Sequence, residues 1–459
     1  MTSQKKGLIA RALGMALLIA GGGFGCDLPP GLPAVGGSGG VGVTGGTGGV
    51  GIVGASGGSD GSGGNHQPPP GELAAKRDAC SFHAGAMPAE TIEIPSGWPS
   101  PLPITHVIVV VQENHSFDNY FGRLSATLQP DAEGLAPGFT NMDASGNTVA
   151  PRKVTSSCLN MDPPHQWNDA HLAWNNGQMD GFARSGGTDA LTYYDESEMP
   201  FYFWLASTFT IADRHFAPVL AGTWANRDYL YAGTSRGVEN SFSRTIPDVP
   251  TIFDQLSTAG VSWGVYTDGE PFQDTLGWDN KHSGVSSFEQ FLGQAADGSL
   301  PRVSFVDPPA FSDEDEHPSG VADLSKGQAW TRSVYEAVAG GPLWLHSALF
   351  VTWDEWGGFF DHVTPPPACP PSADQPDYNR LGFRVALLLA SPWARRHAVS
   401  HVIHSHTSID RFIQLVYGIP ALTDRDANSD ALLDMFDFTQ PNLLSPPPAP
   451  EIAIPPCMP

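Results

Sequence analysis

Glu113 and Asn114 stand at the end of an apolar run, after Val107, Ile108, Val109, Val110, Val111 and Gln112. So many β-branched residues together predict a strand buried on both faces. In open α/β sheets, ligands gather beyond the carboxyl ends of such strands. A carboxylate beside an amide there offers hard oxygen ligands to a divalent cation. The design recurs where Leu349, Phe350, Val351, Thr352 and Trp353 run into Asp354 and Glu355. If both strands are parallel and central, these four side chains meet at one sheet edge. Their carboxylates would repel one another unless something positive sat among them. A divalent metal ion is the expected answer, with nothing in the residues to specify which.

A third group supplies a nucleophile. Thr223 follows Gly222 and precedes Trp224, Ala225, Asn226 and Arg227. Beside a metal its hydroxyl can ionise and attack phosphorus. Asn226 and Arg227 are expected to donate to the phosphoryl oxygens, Arg227 in fork geometry. His165, His317 and His406 each fall in a turn or at a helix start, where a histidine can steady phosphate charge, protonate a leaving group or ligate metal. His362, next to Asp361, is a weaker candidate. The acidic run Asp313, Glu314, Asp315, Glu316 reads as a solvated loop. Residues 424–430 mimic a calcium loop, but Ser429 replaces the turn Gly and Met435 the bidentate Glu, so that reading is rejected.

The elements that must position these residues alternate. Strands are predicted over 105–111, 209–212, 261–266, 303–306, 348–353 and 384–389, with helices over 251–259, 329–339 and 408–417. This alternation predicts an α/β fold, a three-layer αβα sandwich with a largely parallel sheet. The long connection over 116–208 is where a site would be built.

A formal net charge of −25 argues against a nucleic-acid partner, which needs a basic face. It also disfavours adhesion to anionic membranes by charge alone. Lys5, Lys6 and Arg11 precede a short apolar stretch over 13–20 and a lone Cys26, the layout of a secretory signal. Cys26 resembles a lipoprotein attachment site, although Gly23 stands where such sites usually carry Leu. The expected organisation is a signal over 1–26, a Gly/Ser-rich tether over 27–70 and a catalytic domain over 71–459. The product is an exported, lipid-anchored or otherwise secreted protein, expected to be a monomer. Cys80, Cys158, Cys369 and Cys457 form an even set for disulfides, with three pairings open.

Glu113, Asn114, His115, Ser116, Phe117, Asp118, Asn119, Tyr120, Phe121 and Gly122 resemble the ENxSFDxYFG signature of the bacterial phosphoesterase family of phospholipases C and acid phosphatases. The resemblance continues in order through Asp162 to Trp167, Gly222 to Tyr229, Glu316 to Ser319, Asp354 to Val363 and His406 to Ile409. It implies an alkaline-phosphatase-like core that cleaves phosphoric esters through a covalent phospho-enzyme. By motif position it makes Thr223 the nucleophile, Glu113, Asn114, Asp354 and Glu355 the metal-site residues, and His165 and His317 the residues around the phosphate. Ala225 stands where the family usually has Pro, and Ser405 where Asp commonly precedes His406. The expected substrate is a phosphatidylcholine-like phosphodiester, cleaved as by a phospholipase C, with an acid phosphatase acting on monoesters as the alternative. Trp167, Trp174, Tyr193, Tyr194, Tyr202 and Trp204 could cage a choline headgroup by cation–π contact. A non-catalytic surface-binding lipoprotein is the rival from another class.

Overall fold

The computed structural model describes residues 71–239, 249–273, 285–318, 322–453 and 457. The expected signal segment, Cys26 and the tether lie outside the described residues. Eight strands form the main sheet: β1 (His106–Gln112), β2 (Thr210–Ala212), β3 (Trp263–Tyr266), β4 (Val285–Ser286), β5 (Val303–Val306), β6 (Ser347–Trp353), β7 (Leu387–Ala390) and β8 (Ala398–Ser400). Their spatial order is β8-β2-β7-β6-β1-β5-β3-β4. Only β7 runs against its neighbours. The architecture is the mixed α/β one that the alternating pattern predicts.

The two apolar runs are adjacent and parallel at the centre. Every residue of β6 is buried, and so is every residue of β1 after His106. Strands covered on both faces leave no reason for polar alternation. The register pairs Gln112 with Trp353, so Glu113 and Asp354 leave the sheet side by side. On the other flank Val110 pairs with Val306, which brings Asp307 to the same edge.

Four helices matter for the site: α1 (Phe117–Phe121), α2 (Thr223–Ala232), α3 (Leu324–Gly340) and α4 (His406–Tyr417). Ser116 caps α1, its side chain accepting from the Asn119 amide. Gly233, at φ +69°, ends α2 in the left-handed conformation that glycine adopts without steric cost. The strand predicted over 384–389 begins only at Leu387. Arg384 lies outside it because its backbone bridges Phe216 and accepts from the Phe117 amide, while its guanidinium is held by Asp361 and Asp118.

The cysteines pair as Cys80–Cys369 and Cys158–Cys457, which resolves the three open pairings. Among the described residues no helix is long and apolar enough to cross a membrane.

Candidate active site

Asn114 leaves β1 with φ +59°, a left-handed turn that asparagine tolerates better than most residues. Its Oδ1 faces three other oxygens: Asp354 Oδ1 at 2.9 Å, Glu355 Oε1 at 3.3 Å and the Thr223 hydroxyl at 3.4 Å. The two carboxylate oxygens and the amide oxygen are all acceptors facing one another, with the Thr223 hydroxyl donating to Asn114 Oδ1 and the Asn114 backbone amide to Asp354 Oδ1. Rotating the amide would turn its nitrogen to both carboxylates and its oxygen to His317 Nε2 at 3.0 Å. The orientation with oxygen inward is the one suited to a hard cation, and the donor set of carboxylate, amide and hydroxyl oxygens fits such an ion.

The second loop is shaped to close on the first. Glu355 Oε2 accepts from the Gly357 amide at 2.8 Å. Gly357 has φ +64°, and a side chain there would come within 1.9 Å of the Asn114 carbonyl oxygen. Glycine is therefore required for the loops to touch.

Thr223 is the first residue of α2, a helix of ten residues whose amide ends favour a phosphate oxygen. Asn226 shapes the turn before it. Its amide nitrogen donates to the Ala221 and Gly222 carbonyls at 2.9 and 3.1 Å, and its oxygen accepts from the Val219 amide at 2.9 Å. The side chain is thus engaged inside the loop instead of reaching toward a ligand.

Arg227 departs from expectation in the same way. Fully buried, it donates to Asp354 Oδ2 at 3.1 Å, Asp307 Oδ1 at 3.0 Å and Glu113 Oε1 at 3.3 Å, with Phe272 over its face at 3.5 Å. Part of the positive charge that the clustered acids demand comes from a guanidinium. If all four are ionised, Glu113, Asp307, Asp354 and Glu355 against this one cation leave an excess of three negative charges. Burial, then the charge of Asp354, pushes the Glu113 and Glu355 carboxyls well above their ordinary range. A proton or a further cation must therefore offset the remaining negative charge.

Two histidines border the oxygens. His165 Nε2 is 3.7 Å from Glu355 Oε1, and its ring centroid is 5.9 Å from that of His317. Asp162, His165 and His317 lie close enough to share a cation. Burial, then the neighbouring His165, lowers the His317 pKa.

His406 lies behind the site. Its Nε2 meets the Asp354 carbonyl at 2.8 Å and must donate, since a carbonyl only accepts. Its Nδ1 then accepts from His215 Nε2 at 3.1 Å. Burial pushes His406 down to about 4, so this relay is neutral and steers the Asp354 backbone. His362 belongs elsewhere, in a buried network where its Nδ1 meets Asp118 Oδ2 at 2.6 Å and Arg384 bridges Asp118 and Asp361. That network ties the loop after β1 to the loop after β6.

The acidic run over 313–316 is a solvated loop only in its first half. Asp315 and Glu316 are buried, and burial pushes Glu316 up to about 7. Glu316 accepts from the Tyr202 hydroxyl at 2.6 Å and Trp353 Nε1 at 3.0 Å, while its backbone turns at φ +64°. A single-file reading could not see those donors, which come from α-helical and strand partners far away in sequence.

The six aromatic residues expected to cage a headgroup do not converge. Tyr194 and Tyr202 are fully buried and Trp204 packs on Tyr335. Arg380 already lies over Trp174 at 4.7 Å. Asp307 and His215 were not singled out by the sequence reading. Asp307 had a signal, since it too ends an apolar strand; His215 had none, because only the fold brings it to His406.

Known proteins bear on this arrangement. The Phosphoesterase family model matches residues 104–420. A non-hemolytic phospholipase C of Pseudomonas aeruginosa is 29% identical over 74% of this chain and 58% of its own length. Phospholipase C A of Mycobacterium tuberculosis is 30% identical over 75% of this chain and 80% of its own. Non-specific phospholipase C1 of Arabidopsis thaliana is 31% identical over 71% and 69%. Among solved structures, an alkaline phosphatase superfamily protein from Vibrio parahaemolyticus is 11% identical, with a TM-score of 0.39 over 78% of this chain and 77% of its own. The chain belongs to the Phosphoesterase family of phosphoric-ester hydrolases.

Proposed function

We propose that this protein is a phospholipase C that acts on phosphatidylcholine-like phosphodiesters through Thr223. The observation that carries the reading is the convergence of Thr223 Oγ1, Asn114 Oδ1, Asp354 Oδ1 and Glu355 Oε1 at one point beside the N-terminus of α2. Relatives named phospholipase C at about 30% identity support the substrate class.

Thr223 Oγ1 forms a bond to phosphorus while the bond to the diacylglycerol oxygen breaks. The headgroup phosphate stays on Thr223 until water displaces it. His165 and His317 hold the phosphoryl oxygens, and one of them takes the Thr223 hydroxyl proton and passes it to the leaving oxygen. Asn114, Asp354 and Glu355 would hold a divalent cation. When bound, it supplies the Lewis acidity that ionises the threonine hydroxyl. Asn226 and Arg227 act indirectly, the first by fixing the turn that presents Thr223, the second by holding Asp354 and Glu113 in place.

The test is a substrate panel on the full chain, with and without chelator. Release of phosphocholine from phosphatidylcholine, lost on chelation and regained with a divalent cation, is expected. Hydrolysis of aryl phosphate monoesters alone would shift the reading to an acid phosphatase.

A further inference from the structure

One side chain at the site has no part in this chemistry. Phe311 is 62% exposed, the most exposed large apolar side chain among the described residues. Its ring centroid lies 5.8 Å from that of His317, whose Nε2 is 3.0 Å from the Asn114 side-chain amide. Its backbone holds φ +59°, a conformation that costs an aromatic residue free energy. The Phe311 ring thus stands in water, in a strained turn, one ring away from the histidine beside Asn114.

The charge of the molecule narrows what could cover it. A net charge of −25 disfavours adhesion to anionic lipid by charge alone. An enzyme that takes its substrate from a bilayer under those conditions must engage it by burying apolar surface. The exposed ring lies beside His317, which borders the Asn114 side chain that Thr223 meets, so a substrate held at Thr223 has an apolar surface close by.

We propose that Phe311 is the apolar contact that engages the glycerol and acyl side of a zwitterionic phospholipid at the bilayer surface. This rests on the phospholipase reading above and adds where the lipid is held. Phe311 takes no part in bond making, so its effect appears only when the substrate is presented in a bilayer.

The experiment compares the full-length wild type with Phe311→Ala and Phe311→Ser on two substrates, phosphatidylcholine vesicles and a water-soluble aryl phosphocholine. Both variants are expected to lose about tenfold in activity on vesicles, the scale of one aromatic contact removed from an apolar surface. Activity on the soluble ester, which offers the ring no acyl chains, should stay within about twofold of wild type, the scale of an ordinary exposed-surface substitution. In a Thr223→Ala background, which removes turnover, flotation with phosphatidylcholine vesicles should fall on adding Phe311→Ala. Equal losses on both substrates would mean that the ring only props His317, and would overturn the proposal. Unchanged activity and flotation would overturn it too. If the wild type cleaves neither ester with divalent cation present, the phospholipase reading itself fails, and the inference falls with it.

Discussion

At the scale of single residues, the site depends on which groups face inward and which are engaged elsewhere. Thr223 and Asn114 point at the shared oxygens, whereas Asn226 and Arg227, one turn along the same helix, are fully occupied by the loop and by carboxylates. His406 is a third type, touching the Asp354 carbonyl with one ring nitrogen and His215 with the other. Because that carbonyl belongs to Asp354, loss of the donor lets the carboxylate drift. His406→Phe should lower activity by roughly 10- to 100-fold, the usual effect of removing a partner of a ligand-bearing group. His406→Gln, which keeps a donor of similar reach, should recover part of it in steady-state kinetics. Equal loss in both variants would mean that ring packing, not the hydrogen bond, is what counts.

At the scale of elements, two strand ends and the loops after them make the cleft. Their junction is held at a distance by Arg384, Asp118, Asp361 and His362. Burial alone would depress the His362 pKa, but its hydrogen bond to Asp118 and the charges of Asp118 and Asp361 outweigh that and raise it. A histidine raised in the folded state contributes stability in full below its unfolded pKa, and loses it as pH climbs through the folded one. Facing it are Asp118, Asp361, Glu133 and Arg384, and burial pushes Asp361 up to about 6. His362→Gln should therefore cost about 1–2 kcal/mol near pH 6 and much less near pH 9 by denaturant titration. A penalty independent of pH would assign the residue a packing role. The strands and their acidic ends were legible because a doubly buried strand writes its burial into consecutive residues. The roles of Arg227, Arg384 and Glu316 were not, since each depends on a partner that only the fold supplies, Asp307 at 80 positions from Arg227, Asp118 at 266 from Arg384 and Tyr202 at 114 from Glu316.

At the scale of the molecule, the two disulfides close very long loops, with sequence separations of 289 and 299 residues. Cys80–Cys369 lies against the site's support: Arg425 holds both the Cys369 carbonyl and, at 2.9 Å, the Pro218 carbonyl in the turn before Thr223. Reduction, or Cys80→Ser with Cys369→Ser, should cost about 2–5 kcal/mol of stability and should lower activity before the fold melts. A melting transition unmoved by reductant would show that the bridges add little. Turnover by this site requires Thr223 to carry the phosphoryl group. The most direct measurement is rapid acid quench during turnover of phosphatidylcholine, followed by mass spectrometry of the peptide that contains Thr223. The account predicts a phosphocholine adduct on Thr223 that is absent from Thr223→Ala, a variant that should keep the fold and lose at least about a thousandfold in rate. An adduct on another residue, or full turnover in Thr223→Ala, would contradict it.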